Sequence, residues 1–252
     1  MLISRNFIPS LFTILNGVCG FLSVINATEG KFDMACIFIF YAMLFDAFDG
    51  IIARALNSAS QFGVELDSLS DVISFGFAPS YLLYSIHYKG IETFGVIISS
   101  IFLVFAALRL ARFNVQLVGF NKDKFNGLPA PFAAATLCSY LIFYHDKIFA
   151  EETSNIVITI LAIGLPLLMI SRFQYDTLPK FSKEGFKKNP VKVFVFLIAI
   201  LLIVISRGEA TFSFCLVFIL TGIARSINNR FKRKTHPTNE VEFFEMEESN
   251  SK

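Results

Sequence analysis

Long apolar runs alternate with short polar interruptions along the whole chain, and none shows the strict alternation of a half-buried strand. A membrane-spanning helix needs about 20 apolar residues. Eight segments reach or approach that length: 9–27, 32–56, 67–88, 91–112, 130–144, 155–172, 191–206 and 211–225. The fifth, seventh and eighth are short. No repeat with a period of 20 to 50 residues is visible. The pattern predicts an all-α polytopic membrane helix bundle of about eight transmembrane helices. The first apolar run follows Arg5 but lacks a small-residue cleavage site, so it reads as the first span rather than a signal peptide.

Composition agrees. Of 252 residues, 54% are hydrophobic and 17% charged, with a mean hydropathy of +0.62. A soluble domain carries about 25% charged residues. This chain has too little polar surface to cover a globule in water, and a bilayer is the solvent it suits. A net charge of +2 gives no electrostatic case for a nucleic-acid partner. Cys19, Cys36, Cys138 and Cys215 lie inside apolar runs without paired spacing and read as small hydrophobes.

Charge orients the bundle. With the N-terminus in the cytoplasm, the outward loops hold Lys31, Lys89, Lys147 and Arg207, and the other Lys and Arg of the chain's 22 face the cytoplasm. That asymmetry follows the positive-inside rule and places both termini in the cytoplasm. Six spans with two re-entrant segments fit nearly as well. The membrane domain is read as 1–230. The tail, 231–252, turns from basic to acidic and is expected to be disordered or loosely helical. Membrane lipid is the implied surrounding, and a cell (inner, cytoplasmic) membrane the implied location.

The informative residues are acids in the second and third spans: Asp46, Asp49, Asp67 and Asp71. An ionised Asp at membrane depth costs at least about 2.5 kcal/mol. Asp46 and Asp49 stand at i,i+3 and share a helix face. Asp67 and Asp71, at i,i+4, share another. A linker of about ten residues containing Gly63 makes the two helices antiparallel neighbours, so the four carboxylates converge. Convergent carboxylates repel unless a cation sits among them, and oxygen ligands select Mg²⁺ or Mn²⁺. Gly50 and Ala53 remove bulk beside that face. Arg54 is placed to meet a phosphate, and Gly63 permits a tight turn or close approach. Taken singly, each has a plainer explanation: Asp67 as a helix cap, the small residues as packing contacts. Jointly, they point to a ligand site. A cation-coupled carrier also uses intramembrane acids, but carriers show matched halves, and helices six to eight hold no second acidic set.

The run Asp46-x2-Asp49-Gly50-x2-Ala53-Arg54-x8-Gly63-x3-Asp67-x3-Asp71 resembles the signature of the CDP-alcohol phosphatidyltransferase family at every position. The resemblance covers roughly helices one to six and leaves helices seven and eight outside the family core, which does not weaken the match at the acids. It implies transfer of a phosphatidyl group from CDP-diacylglycerol to an alcohol, direct and metal-dependent. One or two Mg²⁺ or Mn²⁺ ions would be held by Asp46, Asp49, Asp67 and Asp71, with Asp71 as general base. CDP-lipid contacts would come from Asn16, Gly50, Ala53, Arg54 and Gly63. A homodimer is also implied.

Four weaker stretches are similar to the serine-accepting branch of that family: Arg109-Leu-Ala-Arg112-Phe-Asn114, Asn126-Gly-Leu-Pro-Ala-Pro131, Ser171-Arg172-Phe-Gln-Tyr175 and Pro9-Ser-Leu-Phe-Thr13-Ile-Leu-Asn16. Ala130 departs from the serine more usual there. The implied acceptor is L-serine, with Arg109, Arg112 and Asn126 as candidate contacts. Glycerol 3-phosphate is the alternative acceptor. Arg at a helix end is also a common snorkelling anchor, and Asn16 also suits an interhelical hydrogen bond.

Overall fold

The structure, a computed structural model, describes residues 7–56, 58, 60–117, 125–145, 147–148, 150–175 and 190–235. Among them the chain forms eight helices. α1 is Phe7–Thr28 and α2 is Phe32–Ala55. α3 is composite: α-helical at Gln61–Asp71, π-helical at Val72–Phe77, α-helical at Ala78–Leu83 and π-helical at Tyr84–Tyr88. α4 is Glu92–Leu117, α5 Ala130–Phe143, α6 Glu151–Ile170, α7 Pro190–Ile205 and α8 Ala210–Thr235. Five of them (α1, α2, α4, α6 and α8) are long and apolar enough to cross a membrane. Large apolar side chains such as Phe21, Ile97, Leu167 and Leu220 stay exposed on several helices. An apolar surface of that extent suits lipid and not water. The chain is a polytopic membrane helix bundle.

α5 explains why a short segment belongs here. Ala133, Ala134, Leu137, Cys138 and Tyr140 have no exposed surface. A helix buried on nearly all sides shows no polar face. It packs against α2 on one side and α8 on another. α1 and α2 form an antiparallel pair across a turn in which Gly30 takes a φ of 75°. Phe12 seals that pair, its ring centroid 6.2 Å from Phe45 and 6.0 Å from Phe48.

Three boundaries differ from the sequence expectation. α3 begins at Gln61, not near Asp67, because Ser60 is the cap. Its backbone is extended and its hydroxyl accepts the Gly63 N–H at 3.1 Å. The linker after α2 is therefore shorter than ten residues, Gly63 lies in the first turn of α3, and Asp67 is not a cap. α4 runs past Arg112 to Leu117. α8 runs to Thr235, so 231–235 of the expected tail continue the helix, and 236–252 lie outside the described residues. A two-residue ladder, absent from the expectation, pairs β1 (Phe125–Asn126) antiparallel with β2 (Gln174–Tyr175). It ties the loop after α4 to the loop after α6.

Two features set α3 against α1. The π-helical turn at Val72–Phe77 precedes Pro79, which offers no N–H to that turn. Such widened turns recur at functional sites. Opposite it, α1 presents Gly17 and Gly20. A Cβ on Gly20 would stand 2.7 Å from the Ser74 Cα, so only glycine allows this approach. Gly20→Ala is expected to destabilise the bundle by about 1–3 kcal/mol, the usual cost of overpacking. Thermal unfolding in detergent measures it, and an unchanged midpoint would refute the close-packed seam.

Candidate active site

Two facing helices place the four acids in pairs. α2 carries Asp46 and Asp49 one turn apart near its C-terminal end. α3 carries Asp67 and Asp71 one turn apart on the facing helix. One carboxylate oxygen from each of Asp46, Asp49 and Asp67 lies within 4.8 Å of the others. Asp71 is outside that trio. Asp49 and Asp71 are buried, while Asp46 and Asp67 are half-buried.

α1 orients two of these groups. Thr13 Oγ1 donates to Asp49 Oδ2 at 2.8 Å. Asn16 Nδ2 donates to Asp71 Oδ1 at 3.0 Å, and Ser74 Oγ donates to Asn16 Oδ1 at 2.6 Å. Asn16 is wholly buried, its amide spent between Asp71 and Ser74. The structure thus places it behind an acid, in the interhelical role, rather than at a ligand surface. Ser74, Gly17 and Gly20 were missed by the sequence reading. The closely spaced small residues at 17 and 20 of the first span were the available signal.

Two cavities flank the acids. The larger, about 450 Å³, is lined by Asp46, Asp67, Asp71, Arg109, Asn114 and Tyr175 among others. The smaller, about 180 Å³, is lined by Ser10, Thr13, Asp49, Gly50, Ala53 and Gly63, with Asp67 again. Asp67 and Val64 line both. A Cβ added at Gly50 would meet nothing within 4 Å, so the small residue there keeps the groove open. Arg54 is exposed and lines neither cavity.

The predicted acceptor residues separate. Arg109 projects into the larger cavity, where its positive charge acts on Asp71 and Asp46. Arg112 turns elsewhere: its Nη1 donates to the Ile170 carbonyl at 3.0 Å, closing the C-terminus of α6. A guanidinium there meets the negative end of the helix dipole. The Asn126 backbone pairs with Gln174, and its side chain lies outside those described. Asn114 donates to Ser68 Oγ at 2.8 Å on the cavity wall. α8 also bears on the site, because Phe218 lines the larger cavity.

The carboxylate trio fits a divalent cation on its own chemistry. Its donors are all oxygens, and Asp67 Oδ1 is buried without a hydrogen-bond partner. An orphaned buried carboxylate oxygen is costly unless a cation meets it.

The bundle thus sets an acidic trio between two cavities among its membrane helices. The model of the CDP-alcohol phosphatidyltransferase family matches residues 6–170, which is α1 to α6, and the chain belongs to that family. It is similar to the CDP-diacylglycerol–serine O-phosphatidyltransferase of Helicobacter pylori, with 33% identity over 218 residues, 86% of this chain and 90% of that protein. The enzyme of the same name from Bacillus subtilis is 33% identical over 184 residues, 73% of this chain and 98% of that one. The archaetidylserine synthase of Methanothermobacter thermautotrophicus is 38% identical over 172 residues, 67% of this chain and 69% of that protein. Family membership decides against the carrier reading.

Proposed function

We propose that the chain transfers the phosphatidyl group of CDP-diacylglycerol to the hydroxyl of L-serine, giving phosphatidylserine and CMP. The observation that carries this is the meeting of two unlike cavities at Asp67. The smaller has the hydroxyls of Ser10, Thr13, Ser58 and Ser60 and the small residues Gly50, Ala53 and Gly63, which suit a nucleotide diphosphate. The larger offers Arg109, Asn114 and Asp71 to a zwitterionic acceptor. The names of the relatives support serine.

In this reading Asp71 accepts the proton of the serine hydroxyl. The freed oxygen forms a bond to the lipid-bearing phosphorus, and the bond from that phosphorus to the CMP oxygen breaks. CMP departs with the electron pair. Asn16 holds the Asp71 carboxylate in place, and Thr13 does the same for Asp49. Arg109 meets the serine carboxylate. One or two Mg²⁺ or Mn²⁺ ions, held by Asp46, Asp49 and Asp67 with Asp71 adjacent, would supply Lewis-acid neutralisation of the pyrophosphate. The asymmetry of Lys and Arg between the loops supports a site at the cytoplasmic face of the cell membrane, with both termini inside. A homodimer is the assembly we propose.

The test is CMP release by the purified chain from CDP-diacylglycerol, with serine, glycerol 3-phosphate and inositol phosphate offered separately. Release that requires serine, with phosphatidylserine formed, is the expected result. Release with another acceptor would refute the serine assignment and keep the acidic site.

A further inference from the structure

The larger cavity has a polar group that the reading above leaves unused. Tyr175 sits in β2, where the ladder to Phe125 fixes its backbone. It lines the cavity and is only 3% exposed. Its hydroxyl is buried and has no hydrogen-bond partner among the described residues. A buried hydroxyl left unpaired is costly, so native structures retain one where a ligand or water completes it.

The ring around that hydroxyl is tightly held. Its plane stacks on Phe218 of α8, centroids 5.7 Å apart at 27°. Phe218 in turn stacks on Phe132 of α5 at 4.5 Å and 23°. One turn further along the same helix, α8 carries Gly222, where a Cβ would stand 2.3 Å from the Tyr175 ring. No residue but glycine fits. α8 therefore holds the ring at both Phe218 and Gly222, with Phe132 of α5 stacked behind Phe218.

The cavity's other polar groups limit what Tyr175 can meet. The Asn114 amide is engaged with Ser68, and Asp71 accepts from Asn16. Arg109 supplies positive charge beside Asp71. Among the described residues, an anionic group entering this cavity would find Arg109 and one uncommitted O–H donor. We propose that Tyr175 is an acceptor-recognising residue, its hydroxyl donating a hydrogen bond to the anionic group of the acceptor alcohol next to Arg109. For serine, and so resting on the reading above, that group is the carboxylate. Burial pushes the phenol up to about 12, which keeps it a protonated donor at neutral pH. Both Tyr175 and the α8 clamp lie beyond residues 6–170, the part matched by the family model. Contacts to the acceptor, the substrate that differs among family members, fit a place outside the shared part.

Tyr175→Phe keeps the ring against Phe218 and Gly222 and removes only the hydroxyl. CMP release is measured at varied serine and at varied CDP-diacylglycerol. The expected result is a rise in the acceptor KM of about tenfold or more, the cost of a lost hydrogen bond to a charged group. The KM for CDP-diacylglycerol and the kcat at saturating serine stay near wild type, the signature of lost acceptor binding. Gly222→Ala, which displaces the same ring, should raise the same KM. An acceptor KM unchanged in Tyr175→Phe overturns the proposal, as does a fall confined to kcat. If the wild-type chain uses a different acceptor, the serine reading fails alone, and the same comparison with that acceptor decides Tyr175. If it uses none, both fail.

Discussion

Asp71→Asn is expected to lower turnover by about 10²–10⁴-fold, the range a positioned general base contributes, while CDP-diacylglycerol still binds. The substitution keeps the shape of the side chain. Its oxygen still accepts from Asn16, which approaches Asp71 at 3.0 Å, so the α1–α3 seam survives. What is lost is the ability to take a proton. Asp71 also stands apart from the trio of Asp46, Asp49 and Asp67, and it lines the larger cavity and not the smaller. Binding of the nucleotide-bearing lipid should therefore hardly notice the change. CMP release at saturating serine and a direct measurement of CDP-diacylglycerol binding separate the two effects. A variant that loses binding but turns over normally whatever lipid it binds would remove Asp71 from the role of base.

That prediction rests on residues legible before any coordinates. The acids announce themselves because charge inside an apolar run is expensive, and i,i+3 and i,i+4 spacing fixes which of them share a face. The helices are legible for the same reason, since apolar runs of membrane length have few alternatives. The start of α3 is less visible. Ser60 is a strong cap, but the run around it is polar, and the apolar pattern begins only later. Arg112 shows a deeper limit. Sequence gives it a basic helix end, and only tertiary structure reveals that the α6 carbonyls occupy its guanidinium. Tyr175 and Phe218 are harder still. They are 43 positions apart and join one cavity wall through a close approach at Gly222 that no local pattern encodes. Contacts made by packing between distant segments are what periodicity cannot report.

Removing divalent cations should abolish activity outright, and altering Asp67 should come closest to reproducing that loss. Asp67 is the one acid among the described residues that lines both cavities, and its Oδ1 is buried without a partner. Chelation of the purified chain is expected to reduce CMP release to background, with recovery on adding Mg²⁺ or Mn²⁺. Asp67→Ala removes one of three oxygen donors and leaves Asp46 and Asp49 too sparse to hold the ion. Loss of even an outer-sphere partner typically costs about 10–100-fold in metal affinity, so the metal concentration for half-maximal activity should rise by at least that much. Asp49→Ala should move the same midpoint, because Thr13 aims that carboxylate at the trio from α1 at 2.8 Å. Arg112→Ala should not move it, since its guanidinium is committed to the end of α6. A titration midpoint unchanged in Asp67→Ala would show that the metal, if one acts, sits elsewhere. Full activity after exhaustive chelation would show that the carboxylate trio serves a purpose other than holding a cation.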